Sequence, residues 1–233
     1  MNLKQYFKHI TIIDQFVNLK DQLKTDQELA HNLKADTLLI RFWTTEGIIF
    51  GKIDTLLPGY QKGINKLQLP EDKILVRKSG GLAVVCDSGI LNLSILFSKE
   101  THDICDLNET YTFGVELIRY LLKDLNLDID EGEISHSYCP GKYDLSVNGK
   151  KFSGMAQYRT KNTIMLMVTL CINGDQQKRC QMIKDFYDIS NINHDPKYPQ
   201  IRINSMETLS TLSSKNLSVE SIKDNMIKIL NQI

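Results

Sequence analysis

The spacing of apolar positions changes along the chain, and each change marks an element. Residues 1–30 predict a helix, with Phe16, Leu19, Leu23 and Leu29 on one face. Two β-rich runs follow, 37–43 and 47–53, with Thr44-Thr45-Glu46 as the turn between them. Pro58 suits the first turn of a short helix reaching Leu67, because a proline there lacks only an N–H that has no intrahelical partner. Runs 74–77, 82–87 and 90–97 read as strands, broken at Ser79-Gly80-Gly81 and Ser88-Gly89. The clearest helix is 112–125. There Phe113, Leu117, Leu121 and Leu125 recur every four residues, and Ile118 and Leu122 widen the stripe. Asn148-Gly149 joins 144–147 to 150–157 as a hairpin, since both residues accept the positive φ of a tight two-residue turn. Residues 163–171 predict a fully buried strand and 174–189 a helix. Ser218 caps a last helix with Val219, Ile222, Met226 and Ile229 inward. The expected fold is α+β, with a mixed, mostly antiparallel sheet and flanking helices.

Composition narrows the class. Of 233 residues, 42% are apolar and 24% charged, as in ordinary globular proteins. The 28 basic residues cancel the 28 acidic ones, which argues against a general nucleic-acid binder. The apolar runs 82–86 and 164–168 are too short to span a bilayer, so no membrane role is expected. The start of the chain lacks an apolar signal core, and the five cysteines are odd in number with no CxxC pair. A reducing cytoplasm is the simplest compartment, with no disulfide set and no metal site. No linker divides the chain, so 1–233 reads as one domain. Charge is nonetheless uneven. Residues 100–135 carry ten acids against Arg119 and Lys123, whereas 141–162 carry Lys142, Lys150, Lys151, Arg159 and Lys161 against Asp144. These are either two solvated faces or an electropositive surface for an acidic partner.

Two segments carry candidate chemistry. In the first, a strand enters Ser79-Gly80-Gly81 and a second strand leaves it. Paired glycines permit positive φ and close approach of a ligand, but the same pattern alone also reads as a plain hairpin. In the second, Cys139 stands in a loop before Pro140-Gly141, with lysines downstream on the hairpin. A thiol beside cations is more readily ionised and hence nucleophilic, whereas a structural cysteine sits inside an apolar run as Cys171 does. Cys86 and Cys180 read as packing residues. Cys105 near His102 and Asp103 gives a weak metal signal, and His136 stands three residues before Cys139.

Taken in order, Arg-Lys-Ser-Gly-Gly-Leu-Ala-Val-Val at 77–85, Ser-Tyr-Cys-Pro-Gly-Lys-Tyr-Asp-Leu-Ser at 137–146 and Gly-Lys-Lys-Phe-Ser-Gly-Met-Ala-Gln-Tyr-Arg at 149–159 resemble a known family. It is the lipoate/octanoate transferase and ligase superfamily. The likeness is greatest to its lipoyl amidotransferase branch, the N-octanoyltransferases of Gram-positive bacteria that draw on octanoylated glycine cleavage H protein. It extends from about Asp36 to the C-terminal helix. Gln157-Tyr158-Arg159 departs from the Gln-Arg-Arg common in relatives, and the C-terminal end is short for the branch.

The resemblance implies a fold of biotin/lipoate protein ligase catalytic-domain type. It implies Cys139 as nucleophile, Lys151 as the active-site lysine, and Arg77, Ser79, Gly80, Gly81 and Gly154 around the acyl group. The implied partners are glycine cleavage H protein as donor and the lipoyl domains of 2-oxoacid dehydrogenase E2 subunits as acceptors. One lysine amide is exchanged for another through a thioester, so the energetics require no cofactor. ATP-dependent lipoate ligases fit less well, because they lack a cysteine in the Cys-Pro-Gly loop. Octanoyl transferases that draw on acyl carrier protein are the second choice. A thiol of ordinary pKa, about 8.5, is only roughly 3% ionised at pH 7, and the ammonium of Lys151 is the expected activator. Without the resemblance, Lys151 reads as a solvent-exposed hairpin lysine. Strand alternation turns its neighbour Lys150 to the opposite face. Leu82, Val84 and Met155 are the candidate acyl tunnel.

Overall fold

The computed structural model describes residues 1–100 and 104–233. The chain runs β1 (His9–Phe16), α1 (Gln22–His31), β2 (Thr37–Thr44), β3 (Gly47–Gly51), α2 (Tyr60–Leu67), β4 (Ile74–Arg77), β5 (Val84–Cys86) and β6 (Ile90–Ser98). It continues through α3 (Leu107–Leu121), β7 (Asp130–Glu131), β8 (Leu145–Val147), β9 (Lys150–Arg159), β10 (Thr163–Cys171), α4 (Gln176–Ser190), α5 (Leu209–Ser213) and α6 (Val219–Leu230). Among the described residues, the strands form a seven-stranded sheet of order β1-β2-β6-β10-β9-β8-β7 and a three-stranded sheet of order β4-β3-β5. β1 with β2 and β3 with β4 are parallel, and the other pairs are antiparallel. The fold is α+β with a mixed, mostly antiparallel sheet, as expected. Among the described residues, no helix is long and apolar enough to cross a membrane.

Strand alternation divides the large sheet. Ile164, Leu166, Val168 and Leu170 of β10 join Leu93, Ile95 and Phe97 of β6 in a core covered by α3 and α6. Phe113, Leu117, Ile118 and Leu121 supply the α3 side of that core. The helix starts earlier than 112, because Asp106 and Glu109 form a capping box. Leu125 falls in a short 3-10 turn beyond its end. On the opposite sheet face, Leu39, Leu96 and Met165 meet Leu29 and Ala30 of α1. The small sheet packs on α2 and α4 through Ile48, Phe50, Val85, Ile183 and Phe186.

Two expectations fail here. Residues 9–16 are an edge strand rather than part of a helix, and Phe16 is exposed. The β-branched run Ile10-Thr11-Ile12-Ile13 suits a strand, and the edge of β2 offers it a full parallel ladder. Likewise, Ser79-Gly80-Gly81 is not a hairpin turn. β4 and β5 lie on opposite sides of β3, so the loop must cross the end of the small sheet. That crossing carries its residues over the far face of β10.

Candidate active site

Cys139 lies in the loop before β8 with φ +48°, in the left-handed region. For a residue with a Cβ this costs on the order of 1–2 kcal/mol. The conformation turns the sulfur toward the crossing loop. There Sγ accepts the backbone N–H of Leu82 at 3.1 Å and the Nη2 of Arg77 at 3.6 Å. Arg77 also donates to the carbonyls of Gly80 (3.1 Å) and Leu82 (2.8 Å), which holds the loop around its own guanidinium. Gly81 has φ +92°, and an added Cβ would stand 2.5 Å from Arg77 Nη2 and 3.1 Å from the sulfur. A side chain does not fit there.

Lys151 is buried, contrary to the ordinary reading of a hairpin lysine. Its Nζ stands 2.9 Å from Asp144 Oδ2 and donates to the carbonyls of Cys139 (2.6 Å) and Tyr138 (3.2 Å). Asp144 also takes the Gly141 N–H at 3.0 Å. Burial pushes the Asp144 carboxyl above its usual range, while the neighbouring ammonium pulls it back. Gly154 leaves room for this pair, since a Cβ would come within 3.3 Å of Nζ and Cε of Lys151. The ammonium therefore holds the backbone of the cysteine loop, and the cation hydrogen-bonded to the sulfur is Arg77. Lys150 turns away and donates to the carbonyl of Asn204.

A buried chain of groups supports the crossing loop from behind. Ala83 N–H donates to Tyr187 Oη (3.1 Å), which donates to Asp54 Oδ1 (2.8 Å). Asp54 Oδ2 accepts the Gly51 N–H (2.8 Å). Burial raises the Asp54 carboxyl to about 6. Nothing in the sequence pairs Asp54 with Tyr187, 133 positions away.

Between these parts lies a cavity of about 220 Å³, lined by Cys139, Lys151, Arg77, Ser79, Gly80, Gly81 and Gly154. The two catalytic candidates and the five acyl-binding candidates thus line one cavity. Val84 and Met155 line it as well, whereas Leu82 lies in a wider groove of about 1010 Å³ that shares Gly81 and Pro140 with the cavity. Met167, Thr169 and Cys171 of β10 complete the floor. The apolar composition of β10 concealed them, because a strand read as uniformly buried shows no distinct face. Of the other thiols, Cys86, Cys171 and Cys180 are buried, which pushes them up to about 12, 11 and 12 respectively. His136 Nδ1 faces the carbonyl of Gln200 rather than the cysteine. Cys105 Sγ donates to the Lys99 carbonyl, while His102 and Asp103 lie outside the described residues.

The description "lipoyl protein ligase A/B catalytic domain" matches residues 18–231. A relative from Lysinibacillus sphaericus, named octanoyl-[GcvH]:protein N-octanoyltransferase, is 39% identical over 197 residues, covering 83% of this chain and 70% of its own. One from Listeria monocytogenes, named lipoyl-[GcvH]:protein N-lipoyltransferase, is 36% identical over 228 residues, covering 96% and 81%. Among solved structures, lipoate-protein ligase A bound with ATP superposes with a TM-score of 0.69 at 17% identity, over 97% of this chain and 85% of that one. The bipartite lipoate protein ligase of Thermoplasma acidophilum gives 0.67 at 17%, over 97% and 83%. At such identity these structures speak for the fold alone. The family match and the relatives together establish that this chain belongs to the lipoyl protein ligase A/B catalytic domain family.

Proposed function

We propose that this chain, acting as one catalytic domain over 1–233 in a reducing cytoplasm, is an N-octanoyltransferase of protein lipoylation. It takes an octanoyl group from a lysine of glycine cleavage H protein and passes it to a lysine of an E2 lipoyl domain. The observation that carries this reading is Cys139 lining a cavity, with Leu82 N–H and Arg77 directed at its sulfur.

The sulfur attacks the donor's amide carbonyl carbon, the C–N bond breaks, and the lysine amine leaves with a proton. The acceptor's amine then attacks the thioester, loses its proton, and the sulfur departs as thiolate. Leu82 N–H and Arg77 stabilise that anion at both ends of the cycle. Lys151, held against Asp144, fixes the strained Cys139 backbone and is the nearby proton carrier. Ser79, Gly80, Gly81 and Gly154 surround the acyl chain. Amide is exchanged for amide, so neither ATP nor a metal drives the reaction.

A donor panel tests this. Octanoyl H protein should acylate a lipoyl domain without ATP. Strict dependence on ATP with free lipoate would make the chain a ligase, and transfer from acyl carrier protein but never H protein would make it the alternative transferase.

A further inference from the structure

The floor of the 220 Å³ cavity is one face of β10. Cys171, Thr169 and Met167 succeed one another along it, each two residues from the last, so their side chains stand in a row. Four residues of strand rise about 13 Å, room for a medium-length acyl chain laid along the row. The row does not end at Met167. Met165 continues it into a second hollow of about 30 Å³, which is roofed by Leu23 of α1 and also lined by Tyr158. Met167 and Ser79 border both spaces. A side chain that lines two neighbouring cavities is the wall between them.

We propose that Met167 is the end wall of the acyl trough and sets the longest chain this enzyme accepts. The inference rests on the proposed acyltransferase function. Methionine suits such a wall, being unbranched and able to repack without leaving a fixed void. Ser79 stands beside it, more than nine-tenths buried, with no hydrogen-bond partner for its hydroxyl among the described residues. An acyl chain reaching this point therefore meets a methionine and one unpaired hydroxyl. A chain two or four carbons longer than the trough has to displace Met167 into the hollow beyond it. Shortening that side chain joins the two spaces.

The test is acylation of Cys139 by hexanoyl, octanoyl, decanoyl and dodecanoyl thioesters, followed by intact mass. In that step the cysteine sulfur attacks the thioester carbonyl and the donor thiol leaves with the cysteine's proton, so one thioester replaces another. Wild type should accept octanoyl and lose roughly tenfold or more in rate by dodecanoyl, the scale on which a tight pocket discriminates a surplus methylene. Met167→Ala should recover dodecanoyl about tenfold while still accepting octanoyl. Met167→Phe, which keeps the site filled, should shift the limit the other way and favour hexanoyl. Met165→Ala enlarges only the hollow behind the wall and should leave the profile unchanged. An unchanged profile in both Met167 variants, each shown folded by its melting curve, would overturn the proposal. No adduct from any donor on wild type would instead overturn the underlying function, so the two failures are distinct.

Discussion

Two cations approach the Cys139 loop, and they contact different atoms. Arg77 meets the sulfur and Lys151 meets the backbone carbonyls, so their removal should have different signatures. Cys139→Ala should abolish acyl transfer with little change in melting temperature, because a half-buried loop thiol contributes little packing. Near-wild-type turnover would rule out the acyl-enzyme. Lys151→Ala should cut the rate by orders of magnitude. It should also destabilise by about 3–5 kcal/mol, since Asp144 is left buried without its counter-ion. Lys150→Ala should be mild in both. A double change, Lys151→Met with Asp144→Asn, removes the stranded charge. It should regain much of the stability while the rate stays low, and recovery of both together would reduce Lys151 to a structural role.

The crossing loop between β4 and β5 depends on an element far from it in sequence, since Tyr187 of α4 and Asp54 after β3 hold Ala83. That support titrates. Burial raises Asp54 to about 6, so the folded state binds its proton more tightly than the unfolded chain does. The contribution of Asp54 to stability is therefore complete below about pH 4 and is lost as pH rises through 6, by up to about 1.4 kcal/mol per unit. Asp54→Asn should flatten this slope in denaturant melts between pH 4 and 7. An identical slope in the variant would show that Asp54 does not titrate there. None of this chain of groups was legible in the sequence, because hydrogen bonds between distant residues leave no local pattern. Elements defined locally were legible: the α3 stripe from Phe113 to Leu121, the Asn148-Gly149 hairpin and the Ser218 cap stand as expected, although the helix begins before residue 112 and ends before Leu125. β1 was missed because its Ile-Thr-Ile-Ile run satisfies helical and strand spacing alike, and only the partner strand decides between them. The candidate site residues were legible as motifs, but which atoms each one contacts depended on where its side chain points.

Across the whole molecule, the basic stretch 141–162 does not form one surface. Lys151 is buried against Asp144, and Arg159 is turned inward to Thr110 and the Cys105 carbonyl. Lys142 and Lys161 are both exposed, the first in the Cys139 loop ahead of β8 and the second in the turn between β9 and β10. Lys142 is three residues from Cys139, with its Nζ 5.2 Å from the Tyr143 ring. If an acidic carrier docks at the site, Lys142→Glu should slow protein-to-protein transfer several-fold and Lys161→Glu should not. Added salt should slow wild type as well. Equal effects of the two reversals, or a salt-independent rate, would exclude electrostatic docking at the Cys139 loop. The proposed exchange runs between two amides of nearly equal free energy, with the higher-lying thioester between them. The acyl-enzyme should accordingly accumulate from a thioester donor far more than from H protein. The most direct measurement is the intact mass of the protein after exposure to an octanoyl thioester, followed by addition of a lipoyl domain. One octanoyl group should appear on Cys139 and then move to the acceptor's lysine without ATP. An octanoyl group carried on another residue, or one on Cys139 that the lipoyl domain never removes, would contradict transfer through this sulfur.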